Sequence, residues 1–173
     1  MLFDEVIDKR YSERKYSSKE PCDESIEKLL EAARKAPIAN GEYDKCRLTV
    51  VKDKNLMKEF VKEYQEKTGK SKDPLYQAPV FIIFSSSKDT SARFEDAGCV
   101  IENICLKATE MGLGSCYIRG SVNALGKDAA YIKNLNLDEG FFPVSGVIIG
   151  YPGGESSVKE HDIKTNYINW EAI

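Results

Sequence analysis

The stretch Val80-Phe81-Ile82-Ile83-Phe84 carries no polar residue at any position. A half-solvated strand alternates apolar with polar residues, so this run predicts a central strand covered on both faces. The chain must then supply two covering layers. One candidate is a helix from about Phe94 to Met111, where Ala97, Val100, Ile101, Ile104, Cys105, Leu106 and Ala108 wrap much of the circumference. Such a helix belongs in a core or at a subunit interface. A second helix repeats Ile26, Leu29, Leu30 and Ala33 at helical spacing, with Asp23 as its expected N-cap and Pro37 as its stop. A third, from about Asn55 to Lys67, places Leu56, Phe60 and Tyr64 on one seam, and a short opening helix has Leu2, Phe3, Val6 and Ile7 as its apolar side. Arg47–Val51, Ser115–Ile118 and Val144–Ile149 read as further strands, and Gly112-Leu113-Gly114 as the turn that ends the long helix.

A chain of 173 residues with 42% hydrophobic content can bury one sizeable core, which predicts a single domain over 1–173. The net charge of −3 comes from 28 acidic and 25 basic residues with no extended basic block, so neither nucleic acid nor a membrane surface is an expected partner. No apolar run reaches the length of a membrane span, and the N-terminus alternates apolar with charged residues unlike a signal peptide; a cytoplasmic location is expected. Five cysteines form no CxxC pair and are expected as free thiols, with Cys99, Cys105 and Cys116 acting as small packing groups. His161 is the single histidine, in a polar stretch, and no metal site is expected. A Cys–His nucleophile pair stays open as an alternative.

Any anion site must therefore be local. Arg10-Tyr11-Ser12-Glu13-Arg14 places two guanidinium groups and a hydroxyl directly behind the opening helix. The planar guanidinium fork can hold phosphate oxygens at two points, and serine adds an adaptable donor. A solvated basic turn is the alternative reading of the same residues. At the other end, the stretch from Lys159 to Ile173 includes Tyr167, Ile168 and Trp170 and is too apolar at its tip to float free; 155–173 is expected to dock as an arm.

Four segments in order resemble the nitroreductase family of flavin enzymes, in its short single-domain branch. They are Lys9 to Tyr16, similar to the family's Arg-(Arg/Tyr)-Ser-x-Arg signature; Ala32 to Asn40, similar to its Ala-Pro-Ser-Ala-x-Asn helix exit; Asp96-Ala97-Gly98 with Glu102-Asn103 and Met111 to Ile118; and Ile148 to Pro152. The resemblance implies an α+β sandwich with a central, mainly antiparallel sheet flanked by helices, binding FMN at the interface of an intertwined homodimer. Arg10, Tyr11, Ser12 and Arg14 would hold the phosphate, ribityl chain or pyrimidine edge. Asn40 would bond the ring system, with Pro37, Ile38 and Ala39 reaching across from the partner. The turn at Ser115 to Ile118 would pack on one ring face and a backbone N–H near Ile118 to Gly120 would point at flavin N5, which makes Tyr117, Ile118, Arg119 and Gly120 cofactor-binding candidates. Lys159 or Lys164 would complete the phosphate site, and 155–173 would be the arm that docks on the partner subunit.

The resemblance further implies NADH or NADPH as electron donor and ping-pong hydride transfer to nitroaromatics, quinones or similar small electron-poor acceptors, with no side-chain catalyst beyond flavin N5. Tyr43, Tyr76 and Phe94 are the candidates to line the open face, with ordinary core packing as the alternative reading of each. One departure is Gly41-Glu42-Tyr43-Asp44-Lys45, where the family commonly has Gln-Pro-Trp after the Asn. It keeps alive a non-catalytic FMN- or anion-binding module, or a dehalogenase-like or flavin-fragmenting relative.

Overall fold

The computed structural model describes residues 1–154, 158, 163–166 and 168. Every residue of strand β2 (Val80–Ser86) is buried. It pairs antiparallel with β1 (Cys46–Val51) on one side and β4 (Phe142–Gly150) on the other, and β3 (Gly114–Ile118) pairs antiparallel with β4. The order β1-β2-β4-β3 puts the two most apolar strands in the centre, where both rows of backbone groups are satisfied.

Side-chain alternation then divides the core into two layers. Val80, Ile82 and Phe84 face α2 (Asp23–Ala33) and α4 (Ala92–Glu110), meeting Leu29, Ala33, Ala97, Ile101 and Ile104. Phe81 and Ile83 face α3 (Lys54–Thr68), α5 (Gly120–Leu125) and a 3₁₀ turn at Ala130–Asn134, meeting Phe60, Val122, Leu125 and Tyr131. Fully burying each such side chain is worth about 1.5–3 kcal/mol. The α+β architecture of mixed helices on an antiparallel sheet is therefore the expected one. Among the described residues no helix is long and apolar enough to cross a membrane.

Local chemistry explains the element ends. Asp53 caps α3, its Oδ1 accepting the Asn55 N–H at 2.7 Å and the Leu56 N–H at 3.0 Å, and left-handed Gly69 closes it. At the end of α4, the Leu113 N–H reaches the Ala108 carbonyl and the Gly112 N–H the Thr109 carbonyl, with Gly112 left-handed, as in a Schellman motif. The expected cap of α2 is corrected: Cys22 occupies the N-cap position without a side-chain cap bond, and Asp23 is the first helical residue, paired to Lys52 at 2.8 Å. The α3 seam also shifts, with Met57 and Phe60 buried and Leu56 and Tyr64 half-buried beside them. Cys99, expected to pack, is exposed on the outer side of α4, whereas Cys105 and Cys116 are buried.

Residues 120–137 are the largest addition to the expected pattern, for α5 and the 3₁₀ turn carry Val122, Leu125, Ala129, Tyr131 and Leu135 into the second core layer. Their apolar residues are spread over short turns with no sustained period. α1 (Phe3–Lys9) packs across α4 and buries Val6, while Leu2, Phe3 and Ile7 stay exposed. Of the C-terminal arm, Ile163 and Ile168 are exposed, and Tyr167 and Trp170 lie outside the described residues.

Close packing on the second face depends on one missing side chain. A Cβ at Gly146 would sit 2.9 Å from Phe81 Cζ and 3.0 Å from the Ile82 carbonyl oxygen, so the Phe81 ring occupies the space that a side chain there would take. Gly146→Ala is expected to lower stability by about 1–3 kcal/mol through overpacking. Urea unfolding monitored by circular dichroism checks this, and adding Phe81→Leu should recover part of the loss.

Candidate functional site

Residues 11–17 leave α1 in extended form and join the open edge of the sheet. Ser12 bridges Ser115 in parallel, the Glu13 N–H reaches the Ser115 carbonyl at 2.8 Å, Tyr16 bridges Pro152, and the Gly153 N–H reaches the Lys15 carbonyl at 2.7 Å. The segment is pinned from within by Glu13, which is 5% exposed. Its Oε1 accepts the backbone N–H groups of Arg14 and Lys15, both at 2.8 Å, and its Oε2 accepts the Tyr11 hydroxyl. Gly114 makes room for it, since a Cβ there would lie 2.7 Å from Glu13 Cγ. The Tyr16 hydroxyl donates to the Glu13 carbonyl at 2.9 Å, and burial, then Cys116 and Glu13, push its pKa far up.

This anchoring presents the three basic-segment donors in different states. Arg14 is exposed; its guanidinium donates to the Ser12 carbonyl at 3.2 Å and lies 5.9 Å from the Tyr76 ring, with no carboxylate in ion-pair range among the described residues. Arg10 is half-buried and already engaged, its Nε 3.4 Å from Glu102 on α4. Both arginines and Ser12 act on the Cys116 thiol, which burial pushes up and Arg14, the Ser12 hydroxyl and Arg10 pull down. The structure therefore brings Arg10, Ser12 and Arg14 together around Cys116 of β3, and Tyr11 with them through Glu13.

A second candidate element follows α2. Ala39–Gly41 forms a 3₁₀ turn in which Asn40 and Gly41 are both left-handed, with φ of 58° and 67°. A buried ion pair holds it: Lys88 Nζ lies 2.8 Å from Asp96 Oδ2, and both side chains are 3% exposed. The Ala39 peptide is clamped on two sides, its N–H donating to Asp96 Oδ1 at 2.7 Å and its carbonyl accepting from Lys88 at 2.9 Å. Glu42 adds a 3.4 Å contact to Lys88. Burial works against the Lys88 charge, and Asp96 and then Glu42 outweigh it, so the ammonium's pKa stands above its usual value. The residues that replace the common Gln-Pro-Trp thus complete an internal charge network. Ala36 is fully buried and Ile38 is 9% exposed, both in the α2–α4 layer, just before the turn.

The third element is the turn after β3. Tyr117 is exposed and donates from its hydroxyl to Ser145 Oγ at 3.2 Å, Ile118 is buried, and Arg119 and Gly120 are exposed. Of the candidate pocket residues, Tyr76 stacks near Arg14, Phe94 lies 5.0 Å from the Arg119 guanidinium, and the Tyr43 hydroxyl donates to the Ala36 carbonyl at 3.2 Å. Among the described residues no ring–ring contact joins these three. Lys164 is exposed; Lys159 and His161 lie outside the described residues. No three His, Cys, Asp or Glu side chains group as a metal site would need, among the described residues.

Sequence reasoning missed Glu13, Lys88 and Asp96 as the groups that hold the candidate segments. Asp96 had a signal, because it falls on the buried side of α4, four residues before Val100. Lys88 and Glu13 had none, since each lies in irregular backbone whose surroundings come from distant parts of the chain.

An antiparallel sheet layered with helices on both faces, with an arginine-presenting segment on its β3 edge and a separately clamped asparagine turn after α2, makes this an α+β sandwich. The chain belongs to the nitroreductase family, whose model matches residues 7–151. It is 29% identical to a protein of Archaeoglobus fulgidus provisionally named NADH dehydrogenase/NAD(P)H nitroreductase, over 93% of this chain and 91% of that one. It is 28% identical to an FMN reductase [NAD(P)H] of Bacillus subtilis, over 84% of this chain and 64% of that one. Its fold matches the crystal structure of a nitroreductase with bound FMN from Desulfitobacterium hafniense with a TM-score of 0.86, at 25% identity, over 98% of this chain and 100% of that one.

Removing one member of a buried ion pair strands the other, at a cost of about 3–5 kcal/mol. Lys88→Met and Asp96→Asn should each lower the thermal unfolding midpoint by a corresponding margin, and the double variant Lys88→Met/Asp96→Leu should lose less than the two singles combined; calorimetry of the three variants checks this. The thiols give an independent test. Burial pushes Cys105 up to about 11, whereas the Ser25 hydroxyl holds exposed Cys22 below the usual thiol value. At pH 8 iodoacetamide should modify Cys22 before Cys105, as mapped by mass spectrometry. Because the Cys105 pKa is raised on folding, its contribution to stability is complete below about pH 9 and is lost as pH rises toward 11.

Proposed function

We propose that this chain is an FMN-dependent NAD(P)H oxidoreductase of nitroreductase type, a cytoplasmic homodimer of one domain over 1–173, reducing nitroaromatic, quinone or similar electron-poor acceptors. The observation that carries this reading is the exposed Arg14 guanidinium, free of carboxylates among the described residues and held by the Ser12 carbonyl on a segment locked to β3. Its donor set fits a phosphate monoester: a planar cationic fork, the Ser12 hydroxyl beside it, and Arg10 within the same cluster. Arg10 has to share its charge with Glu102, so Arg14 is assigned the larger part. The family membership, and relatives named for NAD(P)H-dependent nitroreductase and FMN reductase activity, support the choice of FMN over other phosphate ligands.

The chemistry supplied by bound FMN is hydride acceptance at N5 from a reduced nicotinamide and its delivery to an acceptor in a second half-reaction. The chain's own residues orient the cofactor and exclude competing chemistry. Asn40, with Pro37, Ile38 and Ala39, would hold the ring system of the cofactor bound across the dimer, and the Lys88–Asp96 clamp holds the Ala39 backbone of that turn, in which Asn40 is left-handed. Ser115 to Ile118 would pack against the ring, and a backbone N–H of Ile118 to Gly120 would donate to it. Burial raises the pKa of Cys105 and of Cys116, which keeps these two thiols protonated at neutral pH and so weak as nucleophiles. Lys164 or Lys159 would complete the phosphate site, and the stretch 155–173 is assigned to a contact with the second copy. The exposure of Leu2, Phe3, Ile163 and Ile168 supports such a contact, as it is apolar surface that a two-fold interface would bury.

The protein is expected to purify yellow with noncovalent FMN. A charge-assisted hydrogen bond is worth about 1.5–3 kcal/mol, so Arg14→Ala should weaken FMN at least about tenfold, and Arg10→Ala by less because Glu102 already neutralises part of its charge. Fluorescence titration of the apoprotein measures both. Steady-state kinetics with NAD(P)H and a quinone should give parallel double-reciprocal lines. Flavin that stays oxidised under anaerobic excess of NADH and of NADPH would replace this reading with the non-catalytic binding module.

A further inference from the structure

Beside the Arg119 turn lies a group of cations and rings drawn from four separate elements. Arg93 in the first turn of α4 places its guanidinium carbon 4.6 Å from the Phe94 ring centroid and 5.5 Å from that of Phe142, the first residue of β4. Arg119, directly after β3, lies 5.0 Å from the same Phe94 ring. Lys127, after α5, places Nζ 3.8 Å from the Phe142 ring. Two guanidinium groups thus crowd one phenyl ring, and a third cation stands at the neighbouring ring.

The charge balance there is unusual for a chain whose net charge is −3. Arg93 donates to the Thr90 carbonyl at 2.7 Å, a neutral partner, and among the described residues neither Arg93 nor Arg119 has a carboxylate in ion-pair range. Lys127 has Asp89 at 3.7 Å, and the Asp89 side chain is 94% exposed, where such a pair is worth little. Ring faces attract these cations but do not neutralise them. Like charges gathered at one place repel, and a bound anion would relieve that repulsion while the guanidinium edges offer it paired N–H donors. The Phe94 and Phe142 rings, partly buried against the α2–α4 core layer, hold those donors in place.

We propose that Arg93, Arg119 and Lys127, set around Phe94 and Phe142, form an anion-recognising subsite, and that the acceptor is an electron-poor aromatic compound carrying a carboxylate. This assignment rests on the reading that places the Ile118–Gly120 turn against the flavin. The carboxylate of that acceptor pairs with the guanidinium edges, and Lys127 adds its charge beside them. The same anion chemistry could be met by the extra phosphate of NADPH, so the test separates the two sources.

The flavin-loaded enzyme is assayed with 4-nitrobenzoate and with 4-nitrobenzamide, which differ in charge but little in shape, using NADH as donor. The carboxylate is expected to have about tenfold higher kcat/KM at low ionic strength, narrowing in high salt as exposed charges are screened. Arg93→Gln and Lys127→Gln should each reduce the ratio of the two kcat/KM values several-fold. Calorimetric titration with 4-nitrobenzoate should show the same loss of affinity without turnover. Equal kcat/KM for the two compounds, or a ratio indifferent to salt and to Arg93→Gln, overturns the subsite. If the charge preference appears only as NADPH over NADH with 4-nitrobenzamide, the acceptor assignment is overturned. A protein whose flavin is reduced by NADH yet shows no carboxylate preference loses this inference and keeps the proposed function. If it neither retains FMN nor oxidises NADH, the proposed function falls, and the calorimetric comparison of the native chain with Arg93→Gln alone decides the subsite.

Discussion

β2 is buried along its whole length, and a strand can be buried on both faces only if each face is roofed by other elements and each edge is hydrogen-bonded. Those two requirements organise the molecule. The edges are met by β1 and β4, and the faces by α2 and α4 on one side and by α3, α5 and the Ala130–Asn134 turn on the other. β4 is nearly as buried, which leaves β3 as the outer strand on that side. Its free edge is where the arginine segment attaches, through Ser12 and Glu13. The site therefore sits where the demands of the core end, on a rigid strand whose outer hydrogen-bonding groups remain available.

Two internal carboxylates convert irregular chain into defined geometry. Glu13 satisfies backbone donors of its own segment, while Asp96, with Lys88, satisfies both polar groups of the Ala39 peptide. Buried backbone groups outside helices and strands need such partners, because an unmet donor or acceptor costs the full desolvation of that group. Burying charge for this purpose is expensive unless it is paired, and the Lys88–Asp96 contact supplies the pairing. The outcome is stiffness at two places where the chain would otherwise be free to rearrange, both beside residues proposed to touch the cofactor. Preorganisation of this kind matters for a redox group whose reactivity depends on orientation.

Charge on the outer surface is distributed by the same logic. Arg10 is partly neutralised by Glu102, whereas Arg14, Arg93 and Arg119 find carbonyls or aromatic rings in place of carboxylates. These rings keep the guanidinium groups in place without cancelling their charge, so the positive potential stays available to a ligand. In a chain that is acidic overall, these uncancelled cations are the ones proposed to meet anionic groups of a ligand.

What could be read directly from the residues was what depends on local pattern. The unbroken apolar run at Val80–Phe84, the wide apolar wrap of α4 and the order of helices and strands all follow from periodicity, and the basic segment with its ordered companions pointed to the right family. Boundaries moved by one to three residues where a cap or the pairing of a neighbouring strand decided them, as at Asp53 and at Ser85 and Ser86. α5 and the turn after it were illegible, because Val122, Leu125, Tyr131 and Leu135 are apolar without a sustained period and become core only when Phe81 and Ile83 offer them a surface. The exposure of Cys99 and the burial of Glu13 and Lys88 went the same way. Local sequence determines which backbone conformation is cheap and which side of an element is apolar. Whether a lone charge is buried, which partner neutralises it and which arginine is left free depend on residues far apart in the chain, as Lys88 with Ala39 and Arg10 with Glu102 are. Only the tertiary structure decided those.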